Sequence, residues 1–449
     1  MVEYDLMVIG GGAAGLAAAR TAASAGRRVV LVVEGPLGGD CTFTGCVPSK
    51  TLIESAAAGL PFDRAMRRIR EVVARIAATE SAQVLLGEGI EVRPGHATFR
   101  DAHRIDVDGQ PVTADRVVIA TGTTPAIPEG LVGAAPLTTD TIWSALEERP
   151  ASMAIVGGGA VGCELAQALA RFGCEVTVLE LTGRLLPVEE PDAAAVIQRV
   201  LERDGVQVRT GVTVGNTAAG RLVLGDGQTV AAERVVVAAG RRPDNSGLGL
   251  DAAGIDTDER GFIVTDERLR TTASGVYAAG DITGRLPFTH AADAMGRLAA
   301  HNAFATPGRR FDAAPIPWVT FTDPEVARVG LREADAVQHD GQVAFLPLTE
   351  VDRAITADRT DGFIKIIAGR RRGTGRLGGG RVLGATIVAP RAGEMIGELA
   401  LAMRTGMFTG RLAQTVHAYP TYSVGVQQAA AQFFMTIVGR TARPATPAS

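Results

Sequence analysis

Two runs of β-branched and aliphatic residues, each closing on a glycine cluster and followed by an alanine-rich amphipathic stretch, frame this chain. The first unit extends from Tyr4 through Gly10, Gly12 and Gly15 to Glu34, the second from Met153 through Gly157, Gly159 and Gly162 to Glu180. Each predicts strand, glycine turn, helix and strand in that order. Between them, Thr51 to Ser81 has helical periodicity with few breakers. Ile90 to Ala120 alternates in short runs split at Pro94-Gly95 and Asp108-Gly109, which reads as a strand meander. After Gly280-Asp281 comes a helix, His290 to Phe304, then a proline-rich boundary, Pro307 to Pro317. Beyond it the pattern predicts strands at Gly341 to Leu348, Gly362 to Ile367 and Val382 to Val388, helices at Ala392 to Thr405 and Val424 to Phe434, and a Gly- and Arg-rich loop, Gly369 to Arg381. The tail after Arg440 reads as disordered.

A single GxGxxG is a weak signal, because glycine turns also join ordinary strands to helices. Two copies with an acid at matching distance form an internal repeat of one dinucleotide-binding unit. In each, the first glycine allows the tight turn, the second lets the backbone approach a pyrophosphate, and the third permits close helix packing. The anion then lies on a helix N-terminus, and Glu34 or Glu180 accepts ribose hydroxyls.

Composition narrows the classes. At 449 residues, with 46% hydrophobic and 21% charged positions, the chain is that of a globular protein with more than one domain. The net charge is -4 and the arginines are interspersed with acids, so no nucleic-acid partner is expected. The apolar runs are far shorter than the roughly 20 residues a membrane helix needs, so no membrane association is expected. The first residues enter a strand at once without a basic leader, and four cysteines are too few for a secreted disulfide framework. A cytoplasmic location is expected. Lysine occurs only at Lys50 and Lys365, arginine supplying every other cation, which makes Lys50 a candidate for chemistry.

Lys50 closes the segment Gly38-Gly39-Asp40-Cys41-Thr42-Phe43-Thr44-Gly45-Cys46-Val47-Pro48-Ser49-Lys50. Five residues of regular helix rise about 7.5 Å, beyond the roughly 7 Å limit on Cα separation for a disulfide, so Gly45 must let the turn distort if Cys41 and Cys46 pair. Pro48 suits a first helical turn, which places Cys46 near a positive helix end, where a thiolate is stabilised. A structural disulfide, or two thiols that never pair, are the alternatives to a redox pair.

Taken in order, VIGGGAAG, CTFTGCVPSK, VVIATG at Val117 to Gly122, IVGGGAVGCE, VVVAAGRRPD at Val235 to Asp244 and VYAAGDI at Val276 to Ile282 resemble the flavoprotein disulfide reductases, the group of glutathione reductase, dihydrolipoamide dehydrogenase and mercuric reductase. The resemblance implies an α/β fold with two Rossmann-like domains, for FAD (residues 1–145 and 272–314) and for nicotinamide (146–271). An α+β dimerisation domain (315–440) and a disordered tail (441–449) would follow. It implies a homodimer with each active site completed across the interface. FAD would be held by Gly10, Gly12, Gly15, Glu34, Gly39, Thr121, Gly122 and Asp281, the last on the ribityl chain. The nicotinamide cofactor would be held by Gly157, Gly159, Gly162, Glu180 and Gly240. By the same likeness Cys46 is the flavin-proximal thiol, Cys41 the outer thiol that attacks substrate, and Lys50 sits near flavin N5 paired with Glu164. Cys163 and Cys174 read as core residues. The carboxylate of Glu180 repels a 2'-phosphate, so NADH is expected over NADPH, although Arg184 lies just beyond.

The chain departs from these relatives near its end. They carry a histidine braced by a glutamate five residues later; here Tyr419 and Val424 stand at those places, with His417 two residues before the tyrosine. A phenol with an ordinary pKa of about 10 is a poor proton acceptor, which disfavours dihydrolipoamide oxidation. Mercuric reductase shares the tyrosine, which tilts the reading toward a thiophilic metal ion. No cysteine follows Cys174, however, so the vicinal pair that hands over mercury is lacking. His417 could substitute as acid or base, or be a surface histidine. Asp40 and Phe43 replace the usual threonine and asparagine around Cys41. The expected function is electron transfer from NAD(P)H through FAD and the cysteine pair to a metal ion or small disulfide. The alternatives are a flavin reductase or diaphorase serving quinones or oxygen, and a non-catalytic redox sensor.

Overall fold

The computed structural model describes residues 2–218, 221–371 and 373–447. The chain divides into two compact units, residues 1–149 with 236–311, and 150–235 with 312–449. This division is coarser than the three domains expected from sequence.

In the first unit the run Tyr4–Ile9 is the middle of a parallel sheet, flanked by Val29–Val33 and by Gln110–Ile119, with Ile90–Pro94 and Val276–Ala278 outside them. Both faces of the sheet's centre are covered, so its central strands are apolar there, as in Val29–Val33, where all five residues are buried. Ile90–Pro94 therefore does not belong to the expected meander. The meander is Ala97–Phe99, Arg104–Val107 and the start of Gln110–Ile119. Helices Ala13–Ser24 and Thr289–Phe304 pack almost backbone to backbone: a Cβ on Gly296 would lie 2.1 Å from the Ala14 carbonyl oxygen.

The second unit repeats the motif with parallel strands Ser152–Val156, Glu175–Glu180 and Gln207–Thr210 and helices Ala160–Arg171 and Pro191–Arg203. Its other part is an antiparallel sheet in the order Trp318–Thr320, Glu325–Gly330, Arg381–Ala389, Phe363–Gly369, Gln342–Pro347. Helices Ala392–Thr405 and Val424–Ala431 pack their apolar residues into its core. The tail differs from expectation. Arg443–Pro444 pairs with Gln342–Pro347, and Arg443 with Thr446 holds the Glu333 carboxylate, so the chain is ordered well past Arg440. Residues 448–449 lie outside the described residues. No helix among the described residues is long and apolar enough to cross a membrane.

Candidate active site

A cavity of about 490 Å³ opens along the carboxyl ends of the first unit's parallel strands, reaching from Glu34 and His96 past the glycine turn to Cys41, Cys46 and Asp281. The glycines shape it. Gly10 has φ +110°, and a Cβ there would lie 2.3 Å from the Ala120 carbonyl oxygen; one on Gly15 would lie 1.8 Å from the Gly10 oxygen. Gly12 caps the N-terminus of helix Ala13–Ser24 without a side-chain cap, and a Cβ at that position meets nothing within 4 Å. The free amides of that helix end thus look onto open space suited to an anion. Gly39, Thr121 and Gly122 line the same cavity, and the Thr121 hydroxyl is buried with no hydrogen-bond partner among the described residues. At the far end Glu34 is held by His96 Nδ1 at 2.8 Å, a contact that raises the His96 pKa. Burial pushes Asp281 up to about 6, with Arg241 opposing the shift. An orphaned hydroxyl, an uncapped helix end and a carboxylate at each end of an elongated cleft fit a dinucleotide such as FAD.

The cysteines lie in this cavity. Regular helix does not run through them. Helix Gly39–Phe43 ends, Gly45 turns the chain at φ -109°, ψ -110°, and a second helix, Cys46–Ala57, begins. A Cβ on Gly45 would lie 2.9 Å from the Asp40 oxygen, which is why glycine occupies the turn. Cys41 and Cys46 are free thiols that both line this cavity. The neighbouring Cys46 and burial together push the Cys41 thiol well above its ordinary range. Cys46 opens its helix, and its sulfur also contacts the Thr289 hydroxyl at 3.4 Å, where helix Thr289–Phe304 begins. Two helix N-termini therefore converge on one sulfur, an arrangement that favours a thiolate. Lys50 lies four residues after Cys46, on the same face of its helix. Its expected partner Glu164 belongs to the second unit, where it is buried and accepts the Phe321 N–H at 2.8 Å.

The second fingerprint has the same construction. Gly157 has φ +113°, Gly159 caps helix Ala160–Arg171, and a Cβ on Gly162 would lie 1.9 Å from the Gly157 oxygen. Glu180 is buried at the strand end. One of its oxygens accepts the Gly158 N–H at 2.6 Å, and the other accepts the Thr182 N–H and hydroxyl, each at 2.7 Å. Arg184 turns away to the Pro187 and Glu189 carbonyl oxygens. Gly240, at φ +123°, lies in the first unit, just before the strand Arg241–Pro243. Cys163 and Cys174 are buried, as expected of core residues.

His417 is not a surface histidine. Its side chain is 9% exposed, with Nε2 at 3.0 Å from the Glu398 carboxylate and Nδ1 at 3.0 Å from the Thr415 carbonyl oxygen. Its carboxylate partner lies on helix Ala392–Thr405. Tyr419 projects outward, donates its hydroxyl to Asp352 at 2.7 Å, and has its pKa raised by that bond. Sequence reasoning also missed Thr289, Trp143 and the partner of Asp40. The Trp143 indole N–H donates to the Thr44 carbonyl at 2.7 Å, and Arg241 pairs with Asp40.

The fold and this cleft define a flavin- and nicotinamide-dependent oxidoreductase. Residues 4–296 match the pyridine nucleotide-disulphide oxidoreductase family and residues 316–430 its dimerisation domain, and the chain belongs to that family. It is 35% identical to a dihydrolipoyl dehydrogenase of Thermus scotoductus over 96% of this chain and 97% of that one. It is 36% identical to a mercuric reductase of Streptomyces lividans, over 96% of each. Among solved structures, the Cu(II) complex of the HOCl-induced flavoprotein disulfide reductase RclA from Escherichia coli superposes with a TM-score of 0.86 at 30% identity, covering 96% of this chain and 99% of the other. LpdA from Mycobacterium tuberculosis superposes at 0.87 and 31% identity, covering 96% and 100%. The family uses FAD and a pyridine nucleotide around a disulfide redox centre and assembles through its dimerisation domain.

Proposed function

We propose that this chain takes two electrons from NADH and passes them by way of FAD to the Cys41–Cys46 disulfide, whose reduced form then reduces a thiophilic metal ion or a small-molecule disulfide. The observation that carries this reading is the cysteine pair, both members of which line the dinucleotide cleft. FAD, when bound, supplies two-electron exchange with the nicotinamide. Gly12 and the helix end behind it would receive its pyrophosphate, Glu34 a ribose, and Asp281 the ribityl hydroxyls. Reduction of the disulfide breaks one S–S bond and takes up two electrons and two protons, leaving both sulfurs as thiols. Cys41, the outer thiol by likeness to the family, is assigned to meet the acceptor. Cys46, at the two helix ends, holds charge most readily.

Lys50 and Glu164 are assigned beside the flavin. The nicotinamide is assigned to the 146–271 segment, with Gly157, Gly159, Gly162, Glu180 and Gly240 around it. Glu180 presents a carboxylate where a 2'-phosphate would lie, and Arg184 is occupied by carbonyl oxygens, which together support NADH. His417, oriented by Glu398, and Tyr419 are assigned to the acceptor side of an active site shared across the homodimer. Similarity to a mercuric reductase, and to a protein solved with Cu(II), supports a metal-ion acceptor.

Anaerobic titration with NADH, followed by addition of mercuric ion, cupric ion, lipoamide or a small disulfide, identifies the acceptor by which of them reoxidises the protein. Replacing Cys41 with serine should abolish that turnover while flavin stays bound. Full turnover in Cys41→Ser would refute the pathway and leave direct reduction of quinones or oxygen. Steady-state rates favouring NADPH would overturn the cofactor assignment.

A further inference from the structure

Closing and reopening a disulfide requires one sulfur to be held where the other can reach it, yet the stretch that carries Cys41 is poorly held by its own backbone. Helix Gly39–Phe43 is five residues long and has no side-chain cap, too short to be stable in isolation. Glycines stand at both ends. Gly38 and Gly39 have φ +105° and +60°, and Gly45 follows. The segment's position must come from outside it.

Three contacts from distant parts of the same unit provide that position. The Trp143 indole N–H donates to the Thr44 carbonyl at 2.7 Å, the Thr42 hydroxyl donates to Glu80 at 3.4 Å, and the Arg241 guanidinium pairs with the Asp40 carboxylate. Arg241 is itself anchored. It donates to the Thr123 hydroxyl at 2.7 Å and the Thr123 carbonyl at 2.6 Å, with Asp140 3.7 Å away. A planar fork bound on its other edges presents its remaining N–H in a fixed direction. Asp40, the residue before Cys41, receives it.

Building on the proposed function, we infer that Asp40 through Arg241, and Trp143 through the Thr44 carbonyl, form a clamp that positions Cys41 for closure onto Cys46 and thereby sets the thiol–disulfide equilibrium of the pair. Asp40, Arg241 and Trp143 are positioning residues; none touches the reacting sulfurs. In exchange with dithiothreitol, the reagent's two thiols close to a cyclic disulfide and their two electrons and two protons convert Cys41–Cys46 to the dithiol. The protein disulfide is favoured to the extent that one sulfur is already held near the other. Loosening the clamp adds freedom to the dithiol that closure must remove, so the equilibrium moves toward the dithiol.

The test equilibrates the full-length flavin-loaded protein in graded ratios of reduced to oxidised dithiothreitol, traps the thiols by alkylation and counts them by mass spectrometry. Asp40→Ala should shift the equilibrium constant about tenfold toward the dithiol, equivalent to about 30 mV. Asp40→Asn keeps an acceptor oxygen for Arg241 and should shift it less than about threefold. Trp143→Phe keeps the ring, removes the N–H, and should move the equilibrium in the same direction as Asp40→Ala. Retained flavin absorbance and an unchanged melting temperature show that each variant is folded. Where Asp40→Ala loses flavin, Trp143→Phe carries the test. Equilibria indistinguishable from the parent in the folded variants overturn the clamp. Equal shifts in Asp40→Ala and Asp40→Asn do so as well, because they point to lost charge and not to lost contact. A parent protein whose cysteines never oxidise under these conditions overturns the functional reading instead.

Discussion

Cys46 has the surroundings of a charge-bearing sulfur, and most of them come from far along the chain. Its position at the start of helix Cys46–Ala57 is local and legible from Gly45 and Pro48. The Thr289 hydroxyl 3.4 Å away is not, since a threonine 243 residues downstream carries no mark in the sequence. That hydroxyl favours the ionised pair. Thr289→Val keeps the shape and removes the bond, so alkylation of the reduced pair at neutral pH should slow by about threefold to tenfold, the worth of an ordinary hydrogen bond. The pH dependence of alkylation checks this, and a profile identical to the parent's would show that Thr289 contributes nothing to the thiolate. His417 teaches the same lesson. The sequence near His417 shows no acid to pair with it, whereas Glu398 reaches it from a helix 19 residues upstream. The candidate site was legible where function depends on spacing within one turn. It was hidden where side chains meet through tertiary folding.

Among elements, the two glycine fingerprints were readable because each glycine answers a backbone requirement at a fixed spacing. Gly296 answers a requirement just as strict, but in the middle of an ordinary helical pattern. A Cβ there would lie 2.1 Å from the Ala14 carbonyl oxygen, against backbone that cannot swing aside as a side chain would. Gly296→Ala must therefore separate helices Ala13–Ser24 and Thr289–Phe304, which lie behind the cleft at Gly12 and Thr289. We expect a loss of about 1–3 kcal/mol, typical of overpacking, and weaker flavin retention. Urea unfolding and the ratio of flavin to protein absorbance measure the two effects. Native stability with full flavin content would mean that the helices can part freely. Elements with strict periodicity, such as Ala392–Thr405, fell where the pattern put them. Ile90–Pro94 was misassigned because alternation cannot say which sheet a strand joins. Glu325–Gly330 was missed because it carries a buried arginine, Arg328, which reads as a surface residue until its partner Glu189 is seen at 2.8 Å.

At the scale of the whole chain, the repeat predicted two dinucleotide units, and the family match extends that organisation over nearly all of the sequence. What composition could not show is how the second unit joins its fingerprint half to its antiparallel sheet. The chain's other lysine does this. Lys365, 2% exposed, reaches Asp192 at 2.7 Å, Glu333 at 3.1 Å and Glu190 at 3.5 Å, and Arg443 closes on Glu333 from the tail. Burial alone would raise the Glu333 pKa, but hydrogen bonds from Arg443 and Thr446 and the nearby Lys365 bring it down to about 2. A carboxylate depressed in the folded state favours folding above its unfolded pKa of 4.5, and this contribution is lost as pH falls from there through about 2. Glu190 is shifted the other way by burial, so its contribution is greatest at low pH and is lost as pH rises through its folded value. The two therefore oppose each other in acid, and Glu333, with the more direct partners, should dominate. Glu333→Gln leaves Lys365 and Arg443 short of a counter-charge. It should cost about 2–4 kcal/mol at neutral pH, and the difference from the parent should shrink as pH is lowered from about 4.5 toward 2, where the parent's carboxyl is also protonated. Trp318 belongs to this unit and Trp143 to the other, so urea unfolding followed by fluorescence in a Trp143→Phe background isolates the second unit. A difference that stays constant across that pH range would show that Glu333 acts by packing and not as a charge.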